Sequence, residues 1–138
     1  MSEKQRLINL LNALLEAERA GVETANHLLN HHPSKELDAQ YKQVKKDEAW
    51  SCAGLHKAIL REGGEPSMQV GAFVDKIIAL ETLKEKLVLL NKGQAWVARK
   101  IDEAIAYGTQ PETKEFLKEM KDKHHTNIGE MDKYLLQH

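Results

Sequence analysis

Cysteine is almost missing from this chain: Cys52 stands alone among 138 residues. A single thiol excludes an internal disulfide and a zinc site built from thiolates. On a helix it reads as a small apolar side chain rather than a redox group. Proline occurs only three times and aromatic residues make up 5%, against 41% apolar and 30% charged residues. That balance speaks against disorder and against an all-β domain, and for a helical one. No run approaches the ~20 apolar residues of a membrane-spanning helix, and the opening MSEKQRLINL shows no long apolar stretch before a cleavage site. The expectation is a cytoplasmic protein with no membrane partner. Lys and Arg number 20 and Asp and Glu 21, a balance that gives nucleic acid or anionic lipid nothing to hold. The length suits a single domain over residues 1–138.

What fills the chain is helical periodicity, interrupted at HHPSKE, REGGEPS and AYGTQPET. Pro33 cannot continue a helix, and Ser34 is placed to cap the next one by accepting from a free backbone amide. Gly63 and Gly64 end the second long helix and Gly108 the third. Thr109 and Glu112 then have the spacing of a capping box, with Pro111 in the first turn, where its missing amide does no harm. These signals predict long helices over roughly 4–31, 36–62 and 112–136, and another ending near 106.

A continuous helix from Met68 to Ala106 would outrun its partners by about ten residues, so a break is expected near Glu81. The segment from Gly63 to Leu80 then becomes a crossover that travels the length of the bundle and carries a short helix in GAFVDKIIAL. Such a connection leaves the second and third long helices parallel, unlike a simple up-down-up-down bundle.

Each long helix has an apolar stripe with a polar interruption near its midpoint. The first runs Leu7, Leu11, Leu14, Gly21, Ala25, Leu28, and its only charge is Glu18. The second runs Leu37, Tyr41, Val44, Leu55, Ala58, with Glu48 and Ser51 where apolar residues belong. The third carries Gln94 between Leu90 and Val97, and the last carries His124 and Asn127 between Met120 and Met131. Carboxylates and amides in a core seam cost stability unless something pairs with them. Helices of similar length packed side by side bring their midpoints to one level, so the six polar residues should converge. Glu18 and Glu48 are 30 positions apart, as are Gln94 and His124. In each half a lone polar residue faces a pair spaced by three on one helix face.

This pattern resembles the ferritin-like carboxylate proteins, bundles of the rubrerythrin and bacterioferritin type. There, one Glu from each of two helices and a Glu-x-x-His pair from each of the other two hold two metal ions. LLEAERAG, GGEPSMQVGAFVDK, LLNKGQAWVARK and MKDKHHTNI resemble more narrowly an uncharacterised bacterial ferritin-like domain family. The resemblance implies an all-α, ferritin-like four-helix bundle with a long crossover, and no established activity. Only Glu18 and Glu48 match the ligand pattern by residue type. Ser51 stands at the first His, Gln94 at the second lone Glu, His124 at a Glu and Asn127 at the second His. A degenerate site is therefore expected in place of a standard di-iron centre. Moving the last helix by one turn would make His124 the expected His, but would put Lys121 where its carboxylate partner belongs.

Two readings stay open. In one, Glu18, Glu48 and His124 ligate a single iron, manganese or zinc ion, and Ser51, Gln94 and Asn127 orient the ligands or a bound water. That protein is a metal binder or an oxidoreductase. In the other, protonated His124 lies between two carboxylates in a satisfied, metal-free core, and the bundle serves association. A homodimer could use Ile8, Leu15, Val22 and Leu29, although these residues equally suit a wider core face. His27, His31 and His32 lie at one end and His56 towards the other, so they cannot share a site, although His27 and His31 suit adventitious metal. His125 is expected in solvent. Trp50 and Trp96, with Gly21 and Gly93 nearby, read as packing around the polar belt. No nucleophile-base-acid set is present and GGEP lacks the lysine of a phosphate loop, which sets hydrolase and nucleotide-binding functions aside.

Overall fold

Each long periodic stretch forms a helix, and no strand is present. A computed structural model describes residues 1–138. Its helices are α1 (Glu3–His31), α2 (Asp38–Arg61), α3 (Phe73–Ala79), α4 (Leu83–Ala106) and α5 (Pro111–Gln137). The long helices α1, α2, α4 and α5 make the bundle, and α3 lies in the crossover between α2 and α4.

Two apolar layers fix the helix directions. One joins Leu7 and Leu11 at the start of α1 to Ile59 at the end of α2, Ile101 at the end of α4 and Leu117 at the start of α5. The other joins Leu28 of α1, Tyr41 of α2, Ile77 of α3, Leu87 of α4 and Met131 of α5. The chain therefore leaves α2 in the first layer and enters α4 in the second. The crossover spans the bundle, and α2 runs parallel to α4, as the break near Glu81 predicts. Ile8 and Leu15 are buried with this core and Val22 and Leu29 are half-buried, so that stripe widens the core face of α1. No helix is long and apolar enough to cross a membrane.

The crossover is tied to α1 by a polar row spaced four and three. Asn12 donates to the Glu65 carbonyl at 3.0 Å and accepts from the Ser67 amide at 2.7 Å. The Glu16 carboxylate accepts from Ser67 Oγ at 2.7 Å, and Arg19 donates to the carbonyls of Ser67 and Gln69. Beyond it, Phe73 rests on Gly93, where a Cβ would lie 2.7 Å from Phe73 Cζ. Lys86, buried without a carboxylate partner, donates to the Ile77 carbonyl at the end of α3, a favourable place for a cation.

The helix ends follow the sequence signals with two corrections. Gly63 and Gly108 take φ of 91° and 82°, the left-handed conformation that glycine adopts without strain. Thr109 and Glu112 do not form a capping box: Gln110 is the N-cap of α5 and makes no side-chain cap. Glu62 displaces that box, because its carboxylate accepts from the Gln110 amide at 3.1 Å and from Thr113 Oγ1 at 2.8 Å. The true capping box pairs Thr82 with Glu85 at the start of α4. Ser34 accepts from the Leu37 amide at 3.2 Å, so it caps the turn leading into α2, which starts two residues later than expected.

Candidate metal centre

Between the two apolar layers lies the polar belt. Glu18, Glu48, Ser51, Gln94, His124 and Asn127 are all buried, each held by the long helix that carries it. Glu18, Glu48 and His124 meet: one ligand atom from each lies within 4.8 Å of the others. His124 Nε2 is 2.7 Å from Glu18 Oε1 and 3.7 Å from Glu48 Oε2. The first is an ion-pair contact when His124 carries its proton, and the second is longer than a direct hydrogen bond.

The other face of the imidazole is fixed. His124 Nδ1 donates to the Met120 carbonyl at 2.8 Å, so Nε2 is the nitrogen turned towards the carboxylates. Burial raises the Glu48 pKa, and the opposing effect of His124 does not cancel it. For His124, burial alone would lower the pKa. The nearby Glu48 carboxylate, the Met120 carbonyl and the charge of Asp47 outweigh burial and raise it. Three electron-rich groups thus face one small volume that calls for positive charge, either a proton or a cation.

Residues 5–133 match the profile of a family described as a domain of unknown function, DUF6306. The chain belongs to that family. Among solved structures, the DUF6306 chain is similar to ferritin-like, diiron-carboxylate proteins from Bacillus anthracis str. Ames. The TM-score is 0.84 and the identity 19%, over 98% of this chain and 99% of that one. That likeness shows a ferritin-like fold. No curated protein matches the chain.

The remaining belt residues of the DUF6306 chain divide into two groups. Ser51 donates to the Asp47 carbonyl at 2.9 Å, and Asn127 donates to Asp47 Oδ2 at 2.9 Å. These two therefore serve Asp47, whose other carboxylate oxygen accepts from Gln43 at 2.9 Å. Asp47 is a buried acid that the sequence pattern misses, because it sits one position off the apolar stripe of α2. Gln94 is different: it is 3% exposed, and neither its amide oxygen nor its nitrogen has a partner in the protein. Gly21 completes the belt. A Cβ there would lie 2.7 Å from Glu48 Cδ, so the glycine makes room for a carboxylate rather than for a large apolar side chain.

Outside the belt, His56 and His125 are exposed. His27 Nε2 is 3.0 Å from Lys86 Nζ, which takes that nitrogen away from a metal. Burial, followed by the Lys86 charge, lowers the pKa of both His27 and His32. Trp50 packs on Phe116 with ring centroids 5.0 Å apart. Lys121 pairs with Asp102 at 2.8 Å on the outside of the bundle, so it does not enter the site.

Proposed function

We propose that this chain is a mononuclear metal protein in which Glu18, Glu48 and His124 hold one divalent ion, iron, manganese or zinc. The observation that carries this reading is a concentration of unmet polar atoms. Of the eight buried side-chain polar atoms without a hydrogen-bond partner, six belong to Glu18, Glu48, Gln94 and His124; Glu18 Oε1, Glu48 Oε2 and His124 Nε2 meet only one another, and Glu18 Oε2 and both Gln94 amide atoms meet nothing. Each unmet buried group costs about 1–3 kcal/mol, and a core kept only for stability pairs such groups. Two carboxylates and an imidazole suit a single ion of this class and leave coordination positions open. They do not suit the pair of ions of the di-iron bundles, which draws on four carboxylates and two histidines.

When bound, such an ion supplies Lewis-acid chemistry and, for iron or manganese, one-electron redox chemistry. The chain's own residues set the stage. The Met120 carbonyl selects the tautomer that leaves Nε2 free to ligate. Gly21 leaves space for Glu48, and Gln94 presents an unengaged donor and acceptor beside the carboxylates. A cavity reaching Glu18, Glu48 and Gln94 supports extending the reading to an oxidoreductase. A cytoplasmic location fits a chain whose single cysteine, Cys52, forms no disulfide.

The raised proton affinities of Glu48 and His124 favour a second reading, a metal-free core in which a shared proton replaces the ion. Melting untagged protein with added zinc, manganese or ferrous iron separates the two. The metal reading expects a saturable rise in melting temperature, by mass action on the folded state, and no rise in Glu48→Ala. Wild-type melts indifferent to all three metals would leave the proton-held core.

A further inference from the structure

A cavity of about 580 Å³ opens between α1 and α4 and is walled on one side by the crossover. Its size lies in the range of small-molecule sites, ~300–1,000 Å³. The lining changes character with depth. At the inner end are the buried Glu18, Glu48 and Gln94, and the walls include Phe73, Leu89, Trp96 and Val97. At the rim stand the exposed cations Lys76, Lys92 and Arg99.

We propose that this cavity binds an amphipathic organic anion, with its charged head at Lys76, Lys92 and Arg99, its apolar body along Phe73, Leu89, Trp96 and Val97, and a polar group at its inner end that hydrogen-bonds the Gln94 amide. None of the three rim cations forms an ion pair, so all three charges are open to a ligand at the mouth. The acid on the same wall, Glu16, accepts a hydrogen bond from Ser67, and its single charge is outnumbered. An anionic head therefore meets net positive potential at the mouth. The second observation lies at the other end. Gln94 is buried with both amide atoms unpartnered and lines the cavity; such a group costs stability unless a ligand engages it.

The inference rests on the metal reading in one respect. With Glu18 and Glu48 committed to an ion, the inner end no longer favours a cationic head, and Gln94 is the polar group left free.

Octanoate, octanol and octylamine share one tail and differ in head charge. Titrated by calorimetry into zinc-treated, untagged protein, octanoate is expected to bind at least about tenfold more tightly than octanol, or ~1.4 kcal/mol. Octylamine should bind most weakly. The triple variant Lys76→Gln, Lys92→Gln, Arg99→Gln changes only exposed positions and should abolish the preference for octanoate while leaving octanol binding in place. Leu89→Trp, which fills the cavity wall, should weaken both. Octylamine binding most tightly, no binding by any probe, or a head-group preference that survives the triple variant would each overturn the proposal. Zinc content measured on the same samples separates the two readings. Octanoate preference without uptake of zinc, or of manganese or ferrous iron in parallel samples, removes the metal reading alone, and metal uptake without preference removes this one alone.

Discussion

Gly21 on α1 and Glu48 on α2 fit against each other so closely that a methyl group on the first would lie 2.7 Å from the carboxyl carbon of the second. Glycine in a helix costs ~1 kcal/mol relative to alanine, so the residue at position 21 gives up helix stability to seat a buried acid. Gly21→Ala therefore separates folding from ligation. The gain in helix propensity and the displacement of Glu48 oppose each other, and the metal-free protein should keep its stability to within about 1 kcal/mol. Metal affinity, measured by competition with a chelator, should fall at least about tenfold because Glu48 is pushed out of place. Unchanged affinity would remove Glu48 from the ligand set.

His124 is the one imidazole among two buried carboxylates. Replacing it by leucine leaves Glu18 and Glu48 without a counter-charge, and urea denaturation of the metal-free protein should show a loss of about 3–5 kcal/mol. His125→Leu, on the exposed side of the same helix, should stay within about 0.5 kcal/mol of wild type. Equal effects would mean that His124 is no more committed to the core than its neighbour.

Much of this arrangement is legible in the sequence, and the parts that are not have a common cause. Glu48 stands out because it breaks an apolar stripe, and the break near Glu81 follows from matching helix lengths. Asp47 does not stand out, since one position off the stripe is ordinarily solvent; it is buried because Asn127 on α5 donates to it. The capping box at Thr109 fails for the same kind of reason, as Glu62, just past the end of α2, reaches the start of α5. The row Asn12, Glu16, Arg19 becomes meaningful only when the crossover lies along it. Local pattern reports what a residue does within its own helix, whereas these roles depend on partners distant in the chain.

Glu62 gives the stability a dependence on pH. Burial by itself would raise its pKa, but the Lys4 ammonium, the Thr113 hydroxyl and the Gln110 amide hold it below the usual carboxylate value of 4.5. The folded state therefore binds this proton more weakly than the unfolded chain. The stabilisation is complete above pH 4.5 and is lost as pH falls through the folded pKa. Glu62→Gln should lower stability at neutral pH and flatten the acid limb of the curve, leaving the two proteins closer at low pH. Parallel curves across that range would show that Glu62 is not the group responsible.

The backbone should still accept the full di-iron ligand set. Ser51→His, Gln94→Glu, His124→Glu and Asn127→His together would give four carboxylates and two imidazoles. Without metal, the clustered acids and the unpaired Asp47 should destabilise the fold. Ferrous iron or cobalt should restore it, with about two ions bound per chain. A folded variant that takes up no more metal than its parent would show that the six positions do not surround one volume.

The most direct test of the account is elemental analysis of the untagged protein, equilibrated with zinc, manganese or ferrous iron and freed of excess, beside Glu18→Ala, Glu48→Ala and His124→Ala. About one ion per wild-type chain is expected, and far less in each variant that remains folded, because removing one of three protein ligands leaves too few to retain the ion. Wild-type protein that emerges metal-free from all three equilibrations, or folded variants that keep the same stoichiometry, would contradict it.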